Sequence, residues 1–425
     1  MTRSGLPQDA PPPGSSGGCL DGIRILDLTR FYSGPFATLL LAGYGAEVIR
    51  IDRPDQGEPA MTGPPFLGRD GVSLERRDAD DLGLAYLKRC RGKKSVTLNL
   101  ETEAGLALFH RLLATADVLV ENFRPGVTAR LGIDYAANAA VNPRLVHCAI
   151  TGYGSSGPDR DLKAYDLMVQ ADSGLMSITG DPEGRPRKAG SALADGISGA
   201  FAVSGILAAL IEARRSGRGQ FVDVAMTDCL VSLVLDEALD CYGDLGLPVR
   251  QGNRIMRFSP FDTFATQDGE VTIGVATDGD WRALLQAMER QDLLADPGFM
   301  AAGWRVAHAA EVNAVVEAWT RGLTTREVLA VLRQRDIPAS PIRGIEDLMS
   351  WEHLRARDMV QEVAHPTVTP GRSAAAAGFP VKFSRSRAGY ASAAPVLGQD
   401  NDEVYGSALG LDAAARERMR ADRTI

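Results

Sequence analysis

The segment KAYDLMVQADSGLMSITG, residues 163–180, sets Asp166 behind a tyrosine and ahead of an apolar run, with a turn rich in glycine and hydroxyls following. Two roles fit it. Aspartate is among the best helix N-caps, so Asp166 could open the helix that the apolar run promises. It could also be a nucleophile. A carboxylate with a pKa near ~3.9 is already ionised at neutral pH, whereas a serine hydroxyl needs a base beside it. The five histidines, His110, His147, His308, His353 and His365, lie far apart and none forms a metal-spaced pair. His110 falls in an apolar helical pattern and His147 inside a strand, which reads as structural. No Ser/His or Cys/His pairing is visible, and an aspartate attacking a reactive acyl donor would need none. On these residues alone, cap and nucleophile both stay open.

Two further stretches could bind an anionic ligand. LKRCRGKKSVTLNL puts Lys88, Arg89, Arg91, Lys93 and Lys94, five cations in seven residues, just ahead of a strand. This is either a solvated basic turn or a phosphate clamp, in which Arg offers planar forks and Lys a point charge. In VENFRPGVTARLG, Asn122, Phe123 and Arg130 follow a strand end, and ligands of open α/β sheets bind at such carboxyl ends. Farther along, Arg254 and Arg257 are either surface charge or partners for a second carboxylate.

The elements that must carry these residues follow from pattern. Ile23–Leu28 has strand character, Pro35 suits the first turn of a helix continued by Phe36–Leu41, Gly43 and Gly45 stop it, and Glu47–Ile51 is strand again. Ser95–Leu100 reads as strand and Ala104–Ala116 as helix, with Leu106, Phe109 and Leu113 on one face. Residues 118–122 and 145–151 are further strands, and Ile197–Arg214 is an Ala/Leu-rich helix. The alternation predicts an α/β fold with a parallel sheet. Where a dinucleotide fingerprint G-x-G-x-x-G would follow the first strand, the chain reads TRFYSGPFAT, and it has no P-loop. NAD and ATP chemistry lose their support accordingly. Residues from about 230 change character, with a hairpin signal at Asp268-Gly269. The expected organisation is a disordered leader over 1–19, a large domain over 20–225 and 335–425, and a smaller inserted α+β domain over 226–334. No internal repeat is visible.

Composition narrows the class. The chain has 425 residues and a net charge of −8, which argues against nucleic-acid binding. Five scattered cysteines, Cys19, Cys90, Cys148, Cys229 and Cys241, fit reduced thiols in a cytoplasm rather than a zinc site. The most apolar stretches, Phe36–Ala42 and Gly199–Ile211, fall short of a membrane span. The opening MTRSGLPQDAPPPGSSGGCLDG lacks a signal peptide's apolar core. Its formal G-x-S-x-G match at Gly14, Ser16 and Gly18 has neither the strand before it nor the helix after it that a nucleophile elbow needs.

Seven segments, LDGIRILDLTRFYSGPFAT, GAEVIRIDRP, RGKKSVTLNL, ADVLVENFRPGVTARLG, AITGYGSSGP, AYDLMVQADSGLMSITG and SGRGQFVDVAM, occur in an order that resembles the class III coenzyme A transferases. The resemblance runs from Leu20 to about residue 400. It implies a Rossmann-like large domain, a smaller domain, and two chains interlocked like links. It places the catalytic aspartate on Asp166 and the coenzyme contacts on Phe31, Tyr32, Arg53, Lys93, Lys94, Asn122, Phe123 and Arg130. It also implies an acyl-CoA substrate, with no permanently bound cofactor, and a small carboxylic acid as acceptor. The donor it favours is succinyl-CoA and the acceptor a dicarboxylate, moved through an aspartyl anhydride and an aspartyl–CoA thioester. The chain departs from the formyl-CoA branch at Thr151, where that branch has lysine, and at RQGNRIMRFSP, where it has a glycine-only loop. Two other readings share the resemblance: an α-methylacyl-CoA racemase, whose G-H-D-I-N-Y pattern is missing around Tyr165, and a non-catalytic subunit of a heteromeric transferase.

Overall fold

The computed structural model describes residues 17–365 and 368–425. The leader expected over 1–19 lies outside the described residues up to position 16. The chain divides into two compact units: one of residues up to 174, 190–236 and 352–425, the other of 175–189 and 237–351.

The first unit is built on six strands: β1 (Arg24–Asp27), β2 (Glu47–Asp52), β3 (Lys93–Thr97), β4 (Val118–Glu121), β5 (Val146–Thr151) and β6 (Phe221–Ala225). They are ordered β3-β2-β1-β4-β5-β6, and every neighbouring pair is parallel. Central strands such as β4 and β5 are buried along their whole length, which is why they read as continuous apolar runs rather than alternating ones. The chain winds outward from β1 to β3, then restarts at β4 beside β1 and winds the other way. This is a doubly wound sheet, and its winding reverses between β1 and β4.

One face carries helix α3 (Glu103–Leu113), whose Leu108, Phe109 and Leu112 pack with Leu26, Ile49, Val96 and Leu119. Thr102 caps α3 by accepting from the N–H of Gly105 at 3.0 Å. Helices α1 (Ser33–Gly43) and α5 (Leu193–Ser216) pack against each other and against the sheet. Gly199 allows their close approach, since a Cβ there would stand 2.8 Å from the Ser33 carbonyl oxygen. At 24 residues, α5 is long and apolar enough to cross a membrane by length and composition alone. That corrects the expectation that no segment reaches span length; here α5 packs on α1, β5 and β6. The edge strand β3 is closed by the returning C-terminal segment. Asp400 accepts from the N–H of Ser95 at 2.7 Å, Asn401 from that of Thr97 at 2.8 Å, and the Tyr405 hydroxyl donates to the Thr97 carbonyl at 2.8 Å. The row of edge groups is thereby satisfied.

The smaller unit holds an antiparallel sheet, β7 (Phe261–Ala265), β8 (Glu270–Gly274) and β9 (Ala339–Pro341). The β7–β8 hairpin turns through Asp268-Gly269, and the core gathers around Trp281, Leu284, Val312 and Leu332. Its limits differ from the expected 226–334 for two reasons. Helix α6 (Met226–Val234) buries Met226, Cys229 and Leu230 in the first unit, while β9 must pair with β8 to complete the small sheet. Residues 175–189 join this unit because Arg250 donates to the carbonyls of Asp181 and Ser177, at 2.7 and 3.2 Å, and Gly252 N–H to that of Gly180 at 3.0 Å.

Candidate active site

The crevice between the carboxyl ends of β1 and β4 is where ligands of doubly wound sheets bind. Here Asn122 spans it. Its side-chain oxygen accepts from the Arg30 N–H and its NH2 donates to the Arg30 carbonyl, both at 2.8 Å. These two bonds make Asn122 the brace of the loop after β1, and its NH2 also lies 3.5 Å from the Ser33 hydroxyl on the cleft wall. The loop is held tightly at Phe31, whose φ of 66° is left-handed, a conformation costing a non-glycine residue roughly 1–2 kcal/mol. The buried Glu58 carboxylate accepts the Phe31 N–H at 2.7 Å, and Arg89 donates to its carbonyl at 2.9 Å. The Arg89 guanidinium also stacks 3.9 Å over the Tyr32 ring. Phe31 is left half-exposed, edge-on to Tyr165 at 6.4 Å.

Asp166 is the first residue of helix α4 (Asp166–Asp172), and the N-cap is Tyr165, which makes no side-chain capping bond. The Asp166 carboxylate reaches instead to the start of α5. One oxygen accepts from the N–H groups of Ala194 at 2.8 Å and Asp195 at 3.4 Å, and the other accepts from the Gln170 side chain at 2.7 Å. These bonds from a helix start and a neighbouring amide hold the carboxyl group in one orientation. Beside it runs a cleft of about 260 Å³ whose wall includes Phe31, Tyr32, Tyr165 and Asp195, with Arg30, Arg124, Arg160 and Lys163 as its cations. Thr151 lies on this wall, its hydroxyl accepting from the N–H of Gly154 at 2.9 Å.

Burial, and then the charge of Asp166, push the Asp195 carboxyl up to about 6, against the pull of Arg89 and the Ser33 N–H. Burial likewise raises Glu121, at the end of β4, to about 7, although the Phe123 N–H hydrogen-bonds it. His147 is driven down to about 4 by burial, as a histidine inside a strand should be.

On the far side of Arg30 lies a second pocket, of about 190 Å³, lined by Arg30, Arg53, Arg130, Gln56, Asn99 and Phe123. The Arg30 guanidinium lies 5.5 Å from the Phe123 ring centroid, and both residues line both pockets. Arg53 pairs with Glu101 at 3.1 Å and Asp55 at 3.4 Å while staying a third exposed. Arg130 ends the short helix Val127–Arg130.

The two lysines are a different matter. Strand β3 begins inside the basic run, because Lys93 and Lys94 pair in register with Val48 and Ile49 of β2. Alternation then sends their side chains to opposite faces. The Lys93 ammonium is wholly buried and spends its three donors on Asp27 at 3.1 Å, the Pro35 carbonyl at 3.0 Å and Thr38 at 2.7 Å. It has nothing left for a phosphate, which corrects the coenzyme contact that the resemblance implies. Lys94 bridges Glu47 and Glu403, each at 2.7 Å, and Glu47 also pairs with Arg24. Glu47 and Arg24 open β2 and β1, so Lys94 lies toward the amino ends of the strands, away from Arg53 and Phe123 at the carboxyl ends. The other members of the run divide similarly: Arg89 faces the cleft residues, while Arg91 stacks 4.2 Å over Tyr390 and bonds the Ala377 carbonyl. In the smaller unit, Arg257 pairs with Glu237 at 3.4 Å and Arg254 contacts Gln251 at 3.3 Å.

Arg30, Glu58, Gln170 and Asp195 carry no signal in the sequence comparable to that of Asp166. Arg30 could have been found from its place directly after the first strand, and Asp195 from its place at a helix start. Glu58 and Gln170 are recognised only by what they touch.

A doubly wound sheet with arginines at its switch point and an anchored carboxylate beside them offers a site for an anionic ligand. The chain belongs to CoA-transferase family III, whose family model matches residues 20–401, and it is an enzyme of that class. It is 36% identical over 403 residues to the succinate–glutarate CoA-transferase of Agrobacterium fabrum, covering 94% of this chain and 96% of that one. It is 34% identical to the succinyl-CoA:mesaconate CoA-transferase of Haloarcula marismortui, covering 95% and 100%. A crystal structure of a CaiB/BaiF family protein from Brucella suis superposes with a TM-score of 0.78 at 32% identity, over 92% of this chain and all of that one.

Proposed function

We propose that this enzyme moves CoA from succinyl-CoA to a second small dicarboxylic acid, with Asp166 as the covalent carrier. The observation that carries the reading is the Asp166 carboxylate itself, fixed at a helix N-terminus beside a cleft lined by four cations. The names of its relatives in Agrobacterium and Haloarcula pair succinate or succinyl-CoA with glutarate and mesaconate, all dicarboxylates. Arg160 and Lys163, on the cleft wall close in sequence to Asp166, suit the carboxylate that does not react.

The acyl-CoA lies along the crevice, its phosphates toward Arg30, Arg53 and Arg130 and its thioester at Asp166. A carboxylate oxygen of Asp166 attacks the thioester carbonyl, and the C–S bond breaks with its electron pair leaving on the CoA thiolate. The product is an aspartyl–acyl anhydride. The thiolate attacks the aspartyl carbonyl of the anhydride, expelling succinate as a carboxylate and leaving CoA as a thioester on Asp166. The acceptor carboxylate then attacks that thioester, and the same two steps in reverse deliver its acyl-CoA and free Asp166. No proton is consumed, which suits a site without a histidine base. CoA is a substrate here, not a resident cofactor. The working form is an interlocked homodimer. Its place is the cytoplasm, consistent with five cysteines that are all unpaired.

Asp166→Asn tests the nucleophile directly. Asp166 caps nothing in its own helix, and an amide can still accept the N–H of Ala194, so stability is expected to move by less than about 1 kcal/mol while transfer is lost. Wild-type enzyme mixed with succinyl-CoA and no acceptor should gain the mass of CoA on the peptide holding Asp166, and hydroxylamine should release it. An Asp166→Asn enzyme that still transfers CoA would sink the mechanism. A panel of acids decides the acceptor, and turnover of monocarboxylates alone would refute the dicarboxylate assignment.

A further inference from the structure

Phe31 stands on the cleft wall in a strained conformation, and neither the attack nor the phosphate contacts use its ring. It keeps a left-handed φ of 66° with 51% of its surface exposed. A bulky apolar residue stays so only where its surroundings over-determine it. Three side chains supply that hold. Asn122 binds the Arg30 N–H and carbonyl on one side, both at 2.8 Å. Glu58 takes the Phe31 N–H at 2.7 Å, and Arg89, which ends helix α2 (Leu84–Arg89), donates to the Phe31 carbonyl at 2.9 Å. Glu58 is buried, and its second oxygen accepts from the Ala60 N–H at 2.7 Å, so the carboxylate cannot turn away. The ring placed in this way meets Tyr165 edge-on, centroids 6.4 Å apart. Tyr165 is 61% exposed and directly precedes Asp166. Both rings line the cleft beside the nucleophile.

We propose that Phe31 and Tyr165 form an aromatic screen that keeps water from the CoA thioester on Asp166, with Glu58 and Arg89 as its positioning residues. The inference rests on Asp166 being the covalent carrier. An aspartyl thioester is an activated acyl group that must wait for its acceptor. Water adding to its carbonyl would break the C–S bond and release CoA as the free thiol. The Asp166 carboxylate would return, one proton would pass to solvent, and the activation would be lost. Water is always present and the acceptor must arrive, so the site has to exclude the one while admitting the other. Ring carbons at the cleft wall offer water no hydrogen bonds. The screen also accounts for the strain: an ordinary φ would aim the Phe31 Cβ elsewhere and part the two rings.

The test loads the enzyme with succinyl-CoA, removes free ligands by rapid gel filtration, and follows the appearance of CoA thiol without acceptor. The wild-type adduct should outlast the assay and return succinyl-CoA when succinate is added. Phe31→Gly deletes the ring at a φ that glycine adopts freely, so it should melt no lower than the wild type. Its adduct should nonetheless release free thiol about tenfold faster. Phe31→Leu keeps apolar bulk and should recover most of the protection. Glu58→Gln turns an amide NH2 toward one of the two N–H groups that the carboxylate accepts, so it should leak in the same sense as Phe31→Gly. Where Glu58→Gln fails to fold, the Phe31 variants carry the decision. A Phe31→Gly adduct as long-lived as the wild type would overturn the screen while leaving Asp166 as carrier. So would a Phe31→Leu adduct as leaky as that of Phe31→Gly, or a wild-type adduct that water consumes before succinate can. A folded Glu58→Gln enzyme that melts lower yet leaks no faster would overturn the positioning role. No adduct in the wild type would overturn the carrier and the screen together.

Discussion

Lys93 and Lys94 are adjacent in sequence and opposite in fate. Burial alone would raise the pKa of Asp27, but the Lys93 ammonium and the Arg50 guanidinium beside it hold the carboxyl below its ordinary 3.8. That pairing stabilises the fold above the ordinary value and is lost as pH falls through the lowered one. Removing one partner of a buried pair strands the other, which typically costs 3–5 kcal/mol, roughly. Lys93→Met should therefore lower unfolding stability by about that amount. Lys94 is part-exposed among acids, so Lys94→Ala should change stability by less than about 1 kcal/mol and leave the KM for acyl-CoA unchanged. Arg53→Ala should raise that KM with kcat little altered, the pattern of lost uniform binding. Steady-state kinetics with urea unfolding separate the three outcomes. A raised KM in Lys94→Ala would return the phosphate site to the basic run.

At the scale of elements, the site depends on two helix starts meeting. The beginning of α5 supplies the N–H groups that hold Asp166, and the beginning of α1 places Ser33 on the wall of the cleft beside it. Gly199 permits that meeting. In an exposed helix, replacing glycine by alanine stabilises by about 1 kcal/mol. Here the added methyl would meet the Ser33 carbonyl at 2.8 Å, Phe36 at 3.1 Å and the Ala37 nitrogen at 3.4 Å. Two of these are backbone atoms, which cannot rotate away. Gly199→Ala is expected to destabilise by about 1–3 kcal/mol and to lower kcat, because parting α1 from α5 moves the cleft wall at Ser33 relative to the N–H groups that hold Asp166. A variant with a higher melting temperature and full activity would show that the helices have room to spare.

At the scale of the whole molecule, the strand order decides where chemistry can occur. Because winding reverses between β1 and β4, the ends of these two strands leave a crevice, and Arg30 and Asn122 occupy it. Helix α5 leaves Ile211 71% exposed, and Leu235, just past the end of α6, is 66% exposed. The proposed dimer would cover such residues. Sedimentation should give about twice the 45.3 kDa of one chain, the predominant species at assay concentrations. A fully active monomer would remove the interlocked arrangement from the mechanism.

Much of the fold was legible before any tertiary contact. Apolar runs bounded by glycine and proline marked the strands of the large sheet and the helices α1 and α3, since those signals are local. The order of seven segments was enough to indicate the family, and the composition of the Asp166 segment was enough to raise the nucleophile question. What the linear chain could not decide was which face a side chain takes and what meets it there. Lys93 bonds Asp27 across 66 positions and Asp166 bonds Ala194 across 28. A strand register shifted two residues into the basic run turned an apparent phosphate clamp into one buried ion pair and one surface bridge. The same holds for Asp195, an ordinary first-turn acid in sequence, which becomes the neighbour of the nucleophile only because α5 starts where α4 does. Periodicity is written in neighbouring residues; charge pairing is decided by distances that only the packed sheet sets.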